Sequence, residues 1–239
     1  MLFVSALLQA TAGFGAALLG LPLLLLAGNQ LFEAQLLLLC ALLPQNLFAC
    51  WRLRKSIDYR EVIVPASIRF VSMPIGVLGL SALMKQSEGM IGQVVGVIIL
   101  AAMLAQAFAG VEFKNARKWY WMLLTFGGSG VLQGLSGIGG PPLVLWVFGQ
   151  KYPVDRARAF LFALYVANFL PQMIVLYWKF DSQIWNSTLV GLIVTPLILI
   201  SAELGIRAGS KLGDRWVRPA VFATLLILAA IMILKPLLA

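Results

Sequence analysis

Apolar residues run along this chain in long stretches, and short connections between them hold nearly all the charge. Eight stretches stand out, about 1–27, 31–50, 61–82, 90–110, 119–148, 157–178, 184–204 and 217–236. Most approach the ~20 residues that a helix needs to cross the hydrocarbon core of a bilayer. None alternates apolar and polar positions as a membrane-barrel strand does. The pattern predicts an all-α polytopic membrane protein with no soluble domain between its segments.

Two stretches differ from the rest because glycine interrupts them. The first reads Gln9-Ala10-Thr11-Ala12-Gly13-Phe14-Gly15, with Pro22 beyond it. The fifth reads Gln133-Gly134-Leu135-Ser136-Gly137-Ile138-Gly139-Gly140-Pro141-Pro142. Gln9 and Gln133, Gly13 and Gly137, and Gly15 and Gly139 recur at one spacing of 124 residues, and Thr11 lies one position from the counterpart of Ser136. Each motif opens a set of four apolar stretches. The chain therefore reads as a tandem duplication, with an N-terminal repeat at 1–111, a cytoplasmic linker at 112–118 and a C-terminal repeat at 119–239. The stretch Met1–Ala12 resembles a signal peptide but lacks a basic start, and its motif returns far downstream, so it is expected to stay in the mature protein.

The cations then choose between two layouts. If all eight stretches cross with the N-terminus inside, Lys and Arg divide nine inside to eight outside, which is no bias. If the two glycine-broken stretches dip in and return, fourteen cations share one face: Arg52, Arg54, Lys55, Arg60, Lys114, Arg117, Lys118, Lys151, Arg156, Arg158, Arg207, Lys211, Arg215 and Arg218. Only Lys85 and Lys179 sit on the opposite connections, with Lys235 near the C-terminus. The positive-inside rule selects the second layout. Each half then crosses three times, so the halves are inverted repeats whose first segments are re-entrant or discontinuous helices. The expected location is a cell membrane, crossed several times, with the basic connections cytoplasmic.

Composition agrees and removes several function classes. Hydrophobic residues make up 61% of the 239 and charged residues 11%; the mean hydropathy is +0.94. A net charge of +9 invites a nucleic-acid partner, but cations scattered between apolar stretches are topology signals and not a binding face. There is no histidine, so a His-ligated metal centre, a His proton relay and a nucleophile–His dyad are all ruled out. No catalytic set, metal site or cofactor is expected, and the protein is not expected to be an enzyme. Cys40 and Cys50, ten residues apart in one segment, lie roughly 15 Å apart on a helix and are not expected to pair.

Broken backbone at membrane depth is tolerated where it lines a cavity or is covered by protein. Half-helices starting near Gly15 and Pro141 would aim free N–H groups, and about half a positive charge each, at the midplane, which suits an anion. The candidate anion site is therefore Gln9, Thr11, Gly13, Phe14 and Gly15 from the first motif and Gln133, Ser136, Gly137, Ile138, Gly139, Gly140 and Pro141 from the second. The bland alternative is that these glycines only permit close helix packing, the role expected of Gly76, Gly79, Gly205 and Gly209. Asn46, next to Gln45 and Pro44, and Asn168 and Gln172, flanking Pro171, occupy equivalent segments. They line the cavity or recap backbone freed by the prolines. Arg69 stands eight residues into its segment, where it attracts the substrate or pairs with Glu61 or Glu203. Glu203, a candidate gating residue, stands four from Arg207, the spacing of an ordinary helix pair.

At these motifs the chain resembles the TauE/SafE family of sulfite and organosulfonate exporters. Gly13-Phe14-Gly15 with Pro22 and Gly137-Ile138-Gly139-Gly140-Pro141 carry the likeness. Ser56-Ile57-Asp58-Tyr59-Arg60, Pro74-Ile75-Gly76-Val77-Leu78-Gly79 and the two-half organisation extend it over nearly the whole chain. The resemblance implies export of sulfite or a sulfonate such as sulfoacetate across a bacterial inner membrane. Together with the broken helices it makes the expected function secondary transport of a small anion by alternating access. An anion channel of the same build and a non-transporting scaffold subunit stay open as alternatives.

Overall fold

A computed structural model of the chain describes residues 1–107, 118–150, 152–212, 223 and 225–234. Every regular element among them is helical: α1 (Leu2–Ala12), α2 (Ala16–Leu26), α3 (Leu31–Arg52), α4 (Tyr59–Leu83), α5 (Glu88–Ala107), α6 (Trp119–Ser136), α7 (Gly140–Gly149), α8 (Val154–Phe180), α9 (Ile184–Ile193), α10 (Thr195–Leu212) and α11 (Leu225–Leu234). Apart from Lys118, the linker at 112–118 lies outside the described residues, as do Lys151, Arg215, Arg218 and Lys235.

The helices follow the apolar stretches, with chemistry at their ends that explains the boundaries. Gln30 opens α3 with a reciprocal cap, its backbone N–H donating to Glu33 Oε2 at 3.3 Å. Asp58 opens α4 by accepting the Arg60 N–H at 3.1 Å, the usual work of a short acceptor at a helix start. The first and fifth stretches each form two helices, α1 with α2 and α6 with α7, divided at the glycines. The seventh differs from expectation. It is not one helix but α9 and α10, bent by 54° about Val194. Pro196 follows the break, and its ring excludes the ordinary helical bond to residue 192.

Helices α3, α4 and α8 are long and apolar enough to cross a membrane, and the bent α9–α10 pair makes a fourth if it is one span. Large apolar side chains cover the outside, Val71 at 74% exposure and Ile193 at 76%, while Gln9, Gln35, Gln45, Asn46, Arg69, Asn168 and Gln172 are buried. This polarity, apolar outside and amide-rich inside, fits lipid as the solvent. The chain is a multi-pass membrane protein.

Two helix pairs dominate the interior, α6 on α4 and α1 on α10. The first is as close as backbones can come. A Cβ at Gly76 would lie 2.1 Å from Val131 O, and one at Gly134 would lie 2.3 Å from Met73 O. In the second, a Cβ at Gly205 would lie 2.6 Å from Ala10 Cβ. Gly76 and Gly205 thus have the packing role expected of them. Ala10 and Gly134 are themselves 124 residues apart. Cys40 and Cys50 are free.

Candidate functional site

A helix that stops inside a membrane leaves its last carbonyls without partners. Both glycine breaks meet this need in the same way. Gly13 (φ 84°) and Gly137 (φ 73°) close α1 and α6 in the left-handed conformation, which costs a residue with a Cβ about 1–2 kcal/mol. Gly13 N–H donates to Gln9 O at 2.6 Å, and Gly137 N–H to Gln133 O at 2.9 Å. A long polar side chain then arrives from the opposite half. Arg158 Nη2 donates to Thr11 O, and Gln35 Nε2 donates to Gln133 O at 2.9 Å and Gly134 O at 3.4 Å. Arg158 and Gln35 are each the fifth residue of their helix, α8 and α3.

The motif glutamines make matching bonds within their own halves. Gln9 Nε2 donates to Asn46 Oδ1 at 2.7 Å, and Gln133 Nε2 donates to Gln172 Oε1 at 3.0 Å. The four residues thus meet in two pairs, each beside an in-helix proline, Pro44 or Pro171. Asn168 Nδ2 bonds Leu164 O at 2.9 Å, which is not the carbonyl that Pro171 frees. Gln133 has further partners: its Oε1 accepts the Gly139 N–H at 3.1 Å and Arg69 Nη2 at 3.4 Å.

Between the breaks lies a cavity of about 80 Å³. That is room for an ion of a few atoms and well below the ~300 Å³ at which drug-sized pockets begin. Gln9, Gly15, Asn46, Arg69, Gln133, Ser136, Gly137, Ile138, Gly140, Pro141, Asn168 and Gln172 line it. Thr11, Gly13, Phe14, Gly139 and Glu203 are not among its lining. Thr11 turns its hydroxyl back to Leu7 O at 2.7 Å, and Gly13 packs on the Arg158 stem. Phe14 joins the apolar cluster around Phe126 and Trp146. Gly139 is held at both ends, by Gln133 and by Ser129 Oγ, 2.5 Å from its carbonyl. Glu203 pairs with Arg207 Nε at 2.7 Å, the helix pair its spacing suggested.

The two tips offer unequal donors. At α2 the first intrahelical bond is Leu19 N–H to Gly15 O at 3.1 Å, so the N–H groups of Ala16, Ala17 and Leu18 precede it. At α7 the Gly139 N–H is taken by Gln133, and Pro141 and Pro142 have none. The N-terminus of α7 is therefore poorer in free N–H groups than a generic helix start. A full charge stands nearby instead. Arg69 is 1% exposed, and its Nε and Nη1 have no partner among the described residues. Glu61 is engaged elsewhere, 2.9 Å from Tyr152 Oη and 3.0 Å from Arg156 Nη2, so neither acid suggested by the sequence neutralises Arg69. Gln35 and Tyr165 also line the cavity and were missed from sequence. Gln35 was visible as a lone glutamine in an apolar run, whereas Tyr165 gave no signal.

Comparisons with known proteins identify the family. A family model described as "Sulfite exporter TauE/SafE" matches residues 1–232. A protein of Cupriavidus necator described as "Probable sulfite/organosulfonate exporter TauE" is 24% identical over 181 residues, 74% of this chain and 69% of that one. No solved structure matches. With its family model spanning both glycine breaks and the cavity between them, the chain belongs to the TauE/SafE sulfite exporter family.

Proposed function

We propose that this protein is a secondary transporter of a small anion, sulfite or an organosulfonate such as sulfoacetate, held between the two broken helices. The observation that carries the reading is Arg69. A guanidinium buried with two free donors and, among the described residues, no carboxylate partner is costly, and an anionic cargo in the adjoining cavity offsets that cost. The free N–H groups at the start of α2, at the positive end of its dipole, add to the attraction. The C. necator relative's description as a sulfite/organosulfonate exporter points to the same chemistry.

The architecture we propose is a pair of inverted repeats in the inner membrane, with the basic connections cytoplasmic. The matched glycine caps, the paired caps from Arg158 and Gln35, and the α4–α6 and α1–α10 contacts support a two-fold plan, and such plans run alternating access in other transporters. The site residues are Gln9, Asn46, Arg69, Gln133, Ser136, Asn168 and Gln172, with Gly137 to Pro141 shaping the second break. The test is uptake of radiolabelled sulfite into liposomes holding the purified protein. Saturable, counterflow-competent uptake, lost when Gly139→Trp displaces Gln133, is the expected result. Single-channel currents would make the protein a channel instead, and inert liposomes would leave a scaffold.

A further inference from the structure

The cavity has one formal charge. Among the described residues, Arg69 is the sole ionised side chain on its wall, beside neutral amides, Ser136 and Tyr165. The cation at the first break, Arg158, comes from α8, caps Thr11 O and is not on the cavity wall, and the place on α10 that matches Arg69 holds no cation. Arg69 stands seven residues before Gly76, the glycine that meets α6; seven residues before Gly205, which meets α1, stands Ile198, fully buried. Among the described residues, the polar atoms on its wall that are left without partners have a definite balance. Arg69 Nε, Arg69 Nη1 and Gln172 Nε2 are free donors, and Gln35 Oε1 and Asn168 Oδ1 are free acceptors. Donors alone would suit any oxoanion. Donors around one charge, with acceptors beside them, suit an oxoanion that carries one negative charge and still holds a proton.

We propose that the site takes its cargo as a compact monoanion, hydrogensulfite where sulfite is offered, and that Arg69 sets this one-charge limit. The proposal rests on the anion-transporter reading above. A monoanion beside the guanidinium leaves the cavity neutral, and its hydroxyl donates to Asn168 or Gln35. A dianion leaves a buried charge uncompensated and those acceptors unpaired, which is expensive at this depth. The limit counts against sulfoacetate, whose carboxylate adds a second charge to the sulfonate.

The experiment is sulfite uptake by proteoliposomes at equal pH on both sides, across the neutral range in which hydrogensulfite loses its proton, with methanesulfonate and sulfate as competitors. The apparent KM for total sulfite should rise as pH increases, approaching tenfold per unit once the monoanion is the minor species. Methanesulfonate, of similar size and fixed single charge, should compete at least ~100-fold better than sulfate. Arg69→Gln should lose saturable uptake, while Arg69→Lys should keep the order of competitors with weaker binding throughout. A KM flat in total sulfite, or sulfate competing as well as methanesulfonate, overturns the one-charge limit and leaves the transporter reading intact. No uptake by wild-type protein that unfolds cooperatively removes both.

Discussion

Gln9 and Gln133 occupy the same place in the two motifs, yet the chain asks different things of them. Gln9 gives one bond, to Asn46, whereas Gln133 joins Arg69, Gly139 and Gln172 through one amide. Removing a buried partner costs about 1–3 kcal/mol for each group left unpaired. Gln133→Leu should therefore lower the unfolding temperature of detergent-solubilised protein clearly more than Gln9→Leu. Equal losses would mean that the amide around Gln133 is not a hub. The equivalence of the two glutamines was legible in the sequence because a motif repeated at one spacing is visible there. Their inequality was not, since it comes from Arg69 on α4: the spacing to Arg207 gave Glu203 another partner, but nothing in the sequence showed that Glu61 was engaged with Tyr152 and Arg156.

Helix breaks are where element and residue meet. Arg158 closes α1 from α8, and Gln35 closes α6 from α3. A cation at a helix C-terminus contributes about 0.3–1 kcal/mol, and up to ~2 where it is partly buried. Arg158→Met keeps an aliphatic stem against Gly13 and removes the bond to Thr11 O. Hydrogen exchange should then quicken in α1 and stay unchanged in α6, and a rise in both would contradict separate caps. The breaks at Gly13 and Gly137 were legible because glycine clusters in a membrane segment have few uses. The bend at Val194 was not. Pro196 marks it, but Pro44, Pro65, Pro74 and Pro171 all sit within continuous helices, so proline alone does not separate a break from a tolerated kink. Gln35 itself was visible in its apolar run, but its partner, 98 residues away, was not.

At the scale of the molecule, the orientation proposed from the charge bias makes a direct prediction. The connection before α4 should face the cytoplasm and the one after it the outside. With Cys40 and Cys50 replaced by alanine, Ser87→Cys should react with an impermeant maleimide in intact cells. Ser56→Cys should react only after permeabilisation. The reverse pattern would invert the orientation, and reaction of both from one side would mean that α4 does not cross. The pairing of α1 with α10 carries a different kind of consequence, one of timing. A chain emerging from the ribosome makes α1 long before α10, the partner that buries it. Until then, residues 2–12 must wait beside lipid or a chaperone, and the Arg158 cap on their broken end arrives only with α8. Biogenesis of this protein is thus committed late, and a chain stopped after α8 should be recognised as unfinished and degraded, however well its individual helices insert.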